Sequence, residues 1–245
     1  MTAFRRVART LSKNIRLGAL IAWHAEKKIR VLMLDAKHFK IRRKAFTLYV
    51  AFDAERMMPV AWILLPRHEI RQGYDFLLAH LRRKKVVVTG IVSDGHLGLA
   101  ASAHGYYPRA VHQHCAFHVL ADVLRKLGGR KFLAPDEGRV LWKKVRHVAI
   151  ECMTWKEARI ALSRLKFKYP KYTRAWQSLD HALSGIYQFT KRPILAQYRT
   201  SNRMENFMGI LEQRLKSCRS MKSPNQCVRI VSGLIAEKYK RPTKK

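Results

Sequence analysis

Sixteen Asp and Glu stand against 50 Lys and Arg in this chain, and three of the acids sit where chemistry is possible. Asp35 closes the apolar run Val31-Leu32-Met33-Leu34, and Asp94 closes the run from Val86 to Ser93. Glu205 lies in Arg199-Thr200-Ser201-Asn202-Arg203-Met204-Glu205-Asn206-Phe207. Hard divalent cations take oxygen ligands, commonly one or two carboxylates together with substrate phosphate. Two such ions about 3.5–4 Å apart serve the attacking and the leaving oxygen of a phosphodiester displacement. Two Asp at strand ends and one Glu on a late helix are the residue types for that cage. Each also has a plainer reading: a strand-end Asp commonly caps a turn, and Glu205 has Arg203, Arg214 and Lys216 as ion-pair partners.

Positioning these acids requires rigid elements. Val31–Asp35, Ala45–Asp53, Met58–Leu65, Val86–Ser93 and Arg109–His114 read as five strands, the first three consecutive and antiparallel. The unbroken apolarity of Val86–Ser93 is that of a central parallel strand. A helix over Tyr74–Leu81 separates the third and fourth strands. From Phe117 the apolar period becomes 3.6. Helical stripes run through Phe117–Leu127, Leu141–Val148, Trp176–Ile186 and Met204–Leu215, and Thr154 with Glu157 forms a capping box before Ile160. Pro224 opens a last helix. The expected architecture is therefore an α/β mixed sheet of five strands flanked by helices, with a helical stretch over 119–197 between the second and third acids.

A chain of 245 residues with 48% hydrophobic and 10% aromatic content buries a real core and is not a disordered basic tail. A net charge of +34 calls for a polyanion, and nucleic acid is the economical one because each phosphate contact releases counterions. The longest early apolar stretch, Leu17–His24, is far short of the roughly 20 residues of a membrane span. Residues 1–29 are basic, with Phe4, Val7, Leu11 and Ile15 spaced as a helix face; an organellar presequence shares that composition, but a packing or DNA-contacting helix is the expectation. Four cysteines without a CxxC or secretory signal indicate a reduced intracellular protein.

Four blocks in order resemble the catalytic domain of DDE transposases of the Mutator-like superfamily, which includes bacterial insertion-sequence members. Leu32-Met33-Leu34-Asp35-Ala36-Lys37-His38-Phe39-Lys40 resembles the family's first-Asp strand, and Gly90-Ile91-Val92-Ser93-Asp94-Gly95-His96 its second-Asp block. Cys115-Ala116-Phe117-His118 is similar to its C-x-x-H element, and Arg199-Thr200-Ser201-Asn202-Arg203-Met204-Glu205 to R-T-[ST]-N-x-x-E. The resemblance spans roughly 30–218. It implies a ribonuclease H-like fold, with Asp35, Asp94 and Glu205 as catalytic acids holding two Mg2+ or Mn2+ ions. It implies cleavage at transposon ends followed by joining to target DNA. One ion on Asp35 and Asp94 would serve the nucleophile, the other near Glu205 the leaving oxygen. Cys115, His118, Arg199, Asn202, Lys37 and Lys40 form the expected supporting set, for DNA or for the site. The partners expected are transposon-end and target DNA and no membrane, in a homodimer or larger assembly at the prokaryotic nucleoid. The corresponding organisation is a basic helical segment 1–29, a catalytic domain formed by 30–118 and 198–238, a helical insertion 119–197 and a basic tail 239–245. Relatives usually carry a larger region ahead of the first strand, so a truncated element, a split product or a minimal catalytic unit is expected.

Other residues have competing readings. Cys115 and His118, with His112 and His114 nearby, suggest zinc, but zinc wants about four ligands and no second paired motif completes the set. Asp53 and Glu55 are expected in a turn, and Trp142, Trp155 and Trp176 in the core. The basic runs 37–44, 82–85, 166–171 and 214–222 are expected to line a phosphate-binding groove around the acids. A catalytically inactive DNA-binding remnant and a nuclease without strand transfer are the alternatives.

Overall fold

The computed structural model describes residues 16–19, 28–66, 68–200, 202–217 and 223–239. Six strands form one mixed sheet: β1 (Arg16–Ala19), β2 (Lys28–Ile41), β3 (Lys44–Asp53), β4 (Met58–Leu65), β5 (Val87–Ser93) and β6 (Val111–His114), in the order β1-β4-β3-β2-β5-β6. The three hairpin-linked strands pair antiparallel, while β5 runs parallel to β2 and β6 parallel to β5. The expected five strands are present. The sixth is a correction: residues 16–19, read as part of a helical segment, pair antiparallel with Ala61–Leu64 at the sheet edge. Gly18 stands where the apolar stripe of Phe4, Val7, Leu11 and Ile15 would continue, and glycine is a poor helix former. The rest of the proposed amphipathic face, Phe4 to Ile15, lies outside the described residues, as does 240–245.

Eight α-helices are described: α1 (Arg71–Arg83), α2 (Leu97–Tyr106), α3 (Ala116–Leu127), α4 (Asp136–Arg146), α5 (Trp155–Lys168), α6 (Thr173–Ile186), α7 (Asn202–Ser217) and α8 (Pro224–Tyr239). None of the described helices is long and apolar enough to cross a membrane. Two buried clusters follow the strand alternation. Leu32, Leu34, Tyr49 and Ile63 face α1, including Tyr74, Leu77 and Leu81. Val31, Met33, Leu48, Val50 and Trp62 face the opposite layer, which continues without a break through α3–α8. All described elements between β6 and α7 are helical. The capping box forms as expected, Thr154 Oγ1 accepting from Glu157 N at 3.2 Å and Glu157 Oε2 from Thr154 N at 3.3 Å.

Sheet registry decides where the acids sit. β2 is 14 residues long, not a short run ending at Asp35. It continues past Asp35, which pairs with Val50, to a two-residue hairpin at Arg42 and Arg43, both with positive φ (49° and 65°). The pairing of β2 with β5 nonetheless stops at Met33 and Val92. Asp35 therefore lies just beyond the point where β5 leaves the sheet, and Asp94 follows the last residue of β5. The polar residues Lys37, His38 and Lys40 hid the strand's extension, because one of its neighbours has already ended and that edge is open to polar side chains.

Candidate active site

Asp35 shares its face of β2 with Val31 and Met33, the face on which α7 packs. That packing comes from the apolar stripe Met204, Phe207, Met208 and Leu211, all buried, with the Phe207 ring 5.9 Å from that of Phe52 on β3. The stripe turns the first helical turn, and with it Glu205, toward the Asp35 region. α3 is tied in by backbone: Cys115 N donates to Ser93 O at 2.6 Å, and Ala116 N to Arg199 O at 2.8 Å. The four sequence blocks thus meet at one end of the β2–β5 pair.

The electrostatics record the meeting. Burial lifts the Asp35 carboxyl to about 6; positive charge on His118 and the Ala36 N–H oppose the rise, and the charges of Asp94 and Glu205 add to it. The Ala36 hydrogen bond to Asp35 Oδ1 is 2.8 Å. His118 is pushed up to about 9 by its hydrogen bond with Cys115, against burial, with Cys115, Asp35 and Glu205 contributing as neighbouring negative charge. Ligand atoms of Cys115, His118 and Glu205 lie within 4.8 Å of one another, whereas Asp35 meets Asp94 and Glu205 as nearby charges. To the Cys115–His118 pair, which sequence left without a second local motif, the fold adds one candidate third ligand, Glu205 on α7.

Asp94 partly keeps its turn role, since its Oδ1 accepts from His96 N at 2.9 Å. Gly95 permits that turn, with φ +83° and a hypothetical Cβ only 3.1 Å from His114 Nδ1. Below it, His112 Nε2 bonds Ser93 Oγ at 2.7 Å, and burial, followed by the charge of His114, drops the His112 imidazole to about 4. Gly185 on α6 gives His114 its space, because a Cβ there would stand 2.2 Å from Nδ1.

The supporting set divides. Lys37 shares the Asp35 face and reaches α7, its Nζ 2.5 Å from Glu212 Oε2. Lys40 is exposed and alternates onto the opposite face of β2, so the strand does not direct it toward the acids. Arg199 differs from expectation. Its guanidinium donates to Cys152 O and Ala149 O at 3.1 Å each and lies over the Phe189 and Tyr187 rings, serving the helical layer. Asn202 opens α7, and its side chain lies outside the described residues.

Other expectations resolve locally. Asp53 is a turn residue: it is buried, and its Oδ1 accepts from Glu55 N and Arg56 N while Oδ2 holds Arg56 at 2.7 Å. Trp176 is core, donating to Tyr169 O at 2.8 Å, and Trp142 packs partly buried. Trp155 is a correction, 42% exposed under the Arg159 guanidinium at the start of α5. The run 82–85 is another. It precedes β5, so the strand's seven residues, roughly 20 Å, separate it from Asp94. Lys166 pairs with Asp180, and Lys168 and Lys171 lie over the Tyr169 and Tyr172 rings.

Sequence reasoning missed Glu69 and Tyr74. Tyr74 donates to Glu69 Oε1, and Glu69 Oε2 is 3.1 Å from His38 Nε2. Burial, then the charge of Glu69, raises the Tyr74 phenol, and Asp94 and Asp35 contribute. Tyr74 therefore lies within the charge of Glu69, Asp94 and Asp35 together. Its loop segment, His68-Glu69-Ile70, carries no pattern that marks it.

The chain is similar to known proteins along most of its length. The family described as Transposase, Mutator family matches residues 11–241. The transposase for insertion sequence element ISRM5 of Rhizobium meliloti (strain 1021) is 24% identical, over 92% of this chain and 58% of its own length. That for IS406 of Burkholderia multivorans (strain ATCC 17616 / 249) is 25% identical, over 84% and 54%. That for IS1201 of Lactobacillus helveticus is 21% identical, over 80% and 54%. The chain thus spans little more than half the length of these relatives. A cryo-EM structure of a simian T-cell lymphotropic virus intasome in complex with PP2A regulatory subunit B56 gamma aligns with 56% of this chain and 51% of its own. At a TM-score of 0.29 and 13% identity, that likeness is too slight to bear on fold or function.

Proposed function

The chain belongs to the Mutator family of transposases, and on that premise we propose that it is a DDE catalytic core that cleaves transposon-end DNA and transfers the freed strand to target DNA. One observation carries the reading: Asp35 lies just past the end of the β2–β5 pairing, Asp94 follows the last residue of β5, and α7 packs the turn of Glu205 on the face of Asp35, where the charges of Asp94 and Glu205 add to the rise of its carboxyl. Such crowding of negative charge in a partly buried site is relieved by a cation. The sheet order β4-β3-β2-β5-β6, with three antiparallel strands followed by two parallel to β2, supports a ribonuclease H-like assignment. The helices between β6 and α7 then form an insertion between the second and third acids.

The donor set fits Mg2+ or Mn2+, since Asp35, Asp94 and Glu205 offer carboxylate oxygens of the kind hard ions prefer. Bound there, paired ions supply Lewis-acid stabilisation of attacking and leaving oxygens. The carboxylates of Asp35 and Asp94, fixed by the β2–β5 junction, hold the nucleophilic side of the site, and Glu205 on α7 holds the leaving side. Water loses a proton as it attacks phosphorus, and the P–O3′ bond breaks with the 3′ oxygen taking up a proton. In the joining step that 3′-OH loses its proton as it attacks a target phosphorus, whose own P–O3′ bond breaks and whose 3′ oxygen is protonated. His118, held cationic beside Asp35 and Glu205, balances their charge and offers an anchor to a DNA phosphate. Lys37, on the face of Asp35, keeps α7 against β2 through Glu212. The partner is DNA, bound by a homodimer or larger assembly in the bacterial cytoplasm at the nucleoid.

Mn2+-dependent nicking of labelled plasmid by the wild-type chain, lost in Asp94→Asn and Glu205→Gln variants of unchanged circular dichroism, is the expected result. Joining of pre-cleaved ends to target DNA by the wild type then marks a transposase. Equal nicking by wild type and Asp94→Asn contradicts the reading and leaves an inactive DNA-binding remnant. Nicking without joining leaves a nuclease.

A further inference from the structure

We infer that Cys115, His118 and Glu205 form a binding site for a thiophilic divalent cation of the Zn2+ class, beside the all-carboxylate hard-ion site. Cys115 immediately precedes α3 and His118 lies in its first turn, so the C-x-x-H spacing places thiol and imidazole on one side of the helix start. α7 supplies the third ligand from across the interface, and the hydrogen bond from Ala116 N to Arg199 O fixes the two helix starts together. Sulfur, nitrogen and carboxylate oxygen then lie within 4.8 Å of one another. Bonds of about 2.0–2.3 Å at tetrahedral angles set ligand atoms roughly 3.3–3.8 Å apart, so side-chain adjustments of about an ångström close the set. Three protein ligands with a fourth position left open is a common zinc arrangement.

The chemistry of the ligands separates this ion from the catalytic pair. A thiolate is a poor ligand for Mg2+ and a good one for Zn2+. Cys115 is fully buried, at the start of α3. His118 Nδ1 is also buried, with no hydrogen-bond partner among the described residues. Binding releases the thiol and imidazolium protons to solvent and engages Glu205. A consequence rests on the catalytic reading proposed for the acids: Zn2+ at this site withdraws Glu205 from the hard-ion pair and represses cleavage.

The test uses the whole chain with Co2+ as a spectroscopic stand-in for Zn2+. Expected are one bound Co2+ with a sulfur-to-cobalt charge-transfer band, displacement by one equivalent of Zn2+, and loss of the band in Cys115→Ser. That variant keeps a hydroxyl to pair with His118, so a merely structural thiol–imidazole contact survives it. Glu205→Gln weakens Zn2+ binding by about tenfold or more, within the range seen when metal-site groups are altered. Asp94→Asn, outside the set, retains the band. No band in the wild type, or a band undiminished in Cys115→Ser, overturns the site. Nicking that depends on Asp94 in a protein with no band defeats only this site. A band accompanied by nicking indifferent to Asp94 supports the site and defeats only the catalytic reading.

Discussion

Burial and the charges of Asp94 and Glu205 hold the Asp35 carboxyl at about 6, above its usual 3.8, so the folded protein without metal binds a proton there more tightly than the unfolded chain does. Stability from this group is therefore present at low pH and lost as pH rises from about 3.8 through about 6. Asp35→Asn removes the ionised carboxyl. In EDTA at about pH 7.5 the variant should be more stable than wild type by at most about 3 kcal/mol, reduced by the water that still reaches this partly buried group, and the gain should vanish near pH 4. Urea denaturation at the two pH values measures it, and a variant less stable in EDTA at pH 7.5 counts against a crowded acid site. Added Mn2+ should stabilise the wild type and leave Asp35→Asn unmoved. The convergence of Asp35 and Asp94 is foreshadowed by two apolar runs that each end in an acid. Glu69 is not, because its place depends on Tyr74 and His38, which reach it only after α1 has docked.

At the scale of elements, the turn between α4 and α5 matters most for the helical layer. Residues His147–Glu151 form a π-helical turn, and a wide turn leaves carbonyls that α-geometry would have satisfied. Tyr187 takes Val148 O at 2.5 Å, and Arg199 takes Ala149 O and Cys152 O. Arg199→Ala should cost about 3 kcal/mol, since it strips charged hydrogen bonds from buried carbonyls. Thr154→Ala, which removes only a cap, should cost about 1 kcal/mol. Thermal or urea denaturation separates them, and an Arg199→Ala variant of wild-type stability refutes the clamp. The cap was legible because it is a local pattern of side chains four residues long. The clamp was not, because R-T-S-N-x-x-E invites a catalytic reading while Arg199 itself reaches residues 47 and 50 positions away. The true length of β2 was hidden in the same way, its polar half being indistinguishable in sequence from a loop.

For the whole molecule, a net charge of +34 acts through where it lies. The β2–β3 hairpin carries Lys40, Arg42, Arg43 and Lys44 onward from Asp35, whereas 82–85 lies at the far end of β5 from Asp94. Neutralising the hairpin, with Asn at the two positive-φ positions, should reduce the slope of log binding constant against log salt by up to about 3.6 if all four residues meet phosphate. Neutralising Arg82, Arg83, Lys84 and Lys85 should change it far less. Titrations of labelled duplex at several salt concentrations decide, and equal effects from the two runs contradict a groove centred on the acids. Composition points to a polyanion partner, whereas the run-by-run geometry comes only from the sheet topology.

The central claim, that these acids hold divalent metal for phosphodiester cleavage, is tested most directly by changing a ligand and following the metal preference. Asp94→Cys replaces a hard oxygen with a softer sulfur, which Mn2+ accepts better than Mg2+. Plasmid nicking by this variant should be lost in Mg2+ and partly restored in Mn2+, while Asp94→Asn stays inactive in both. Wild-type rates of nicking in Mg2+ by either variant would show that Asp94 holds no metal for the reaction.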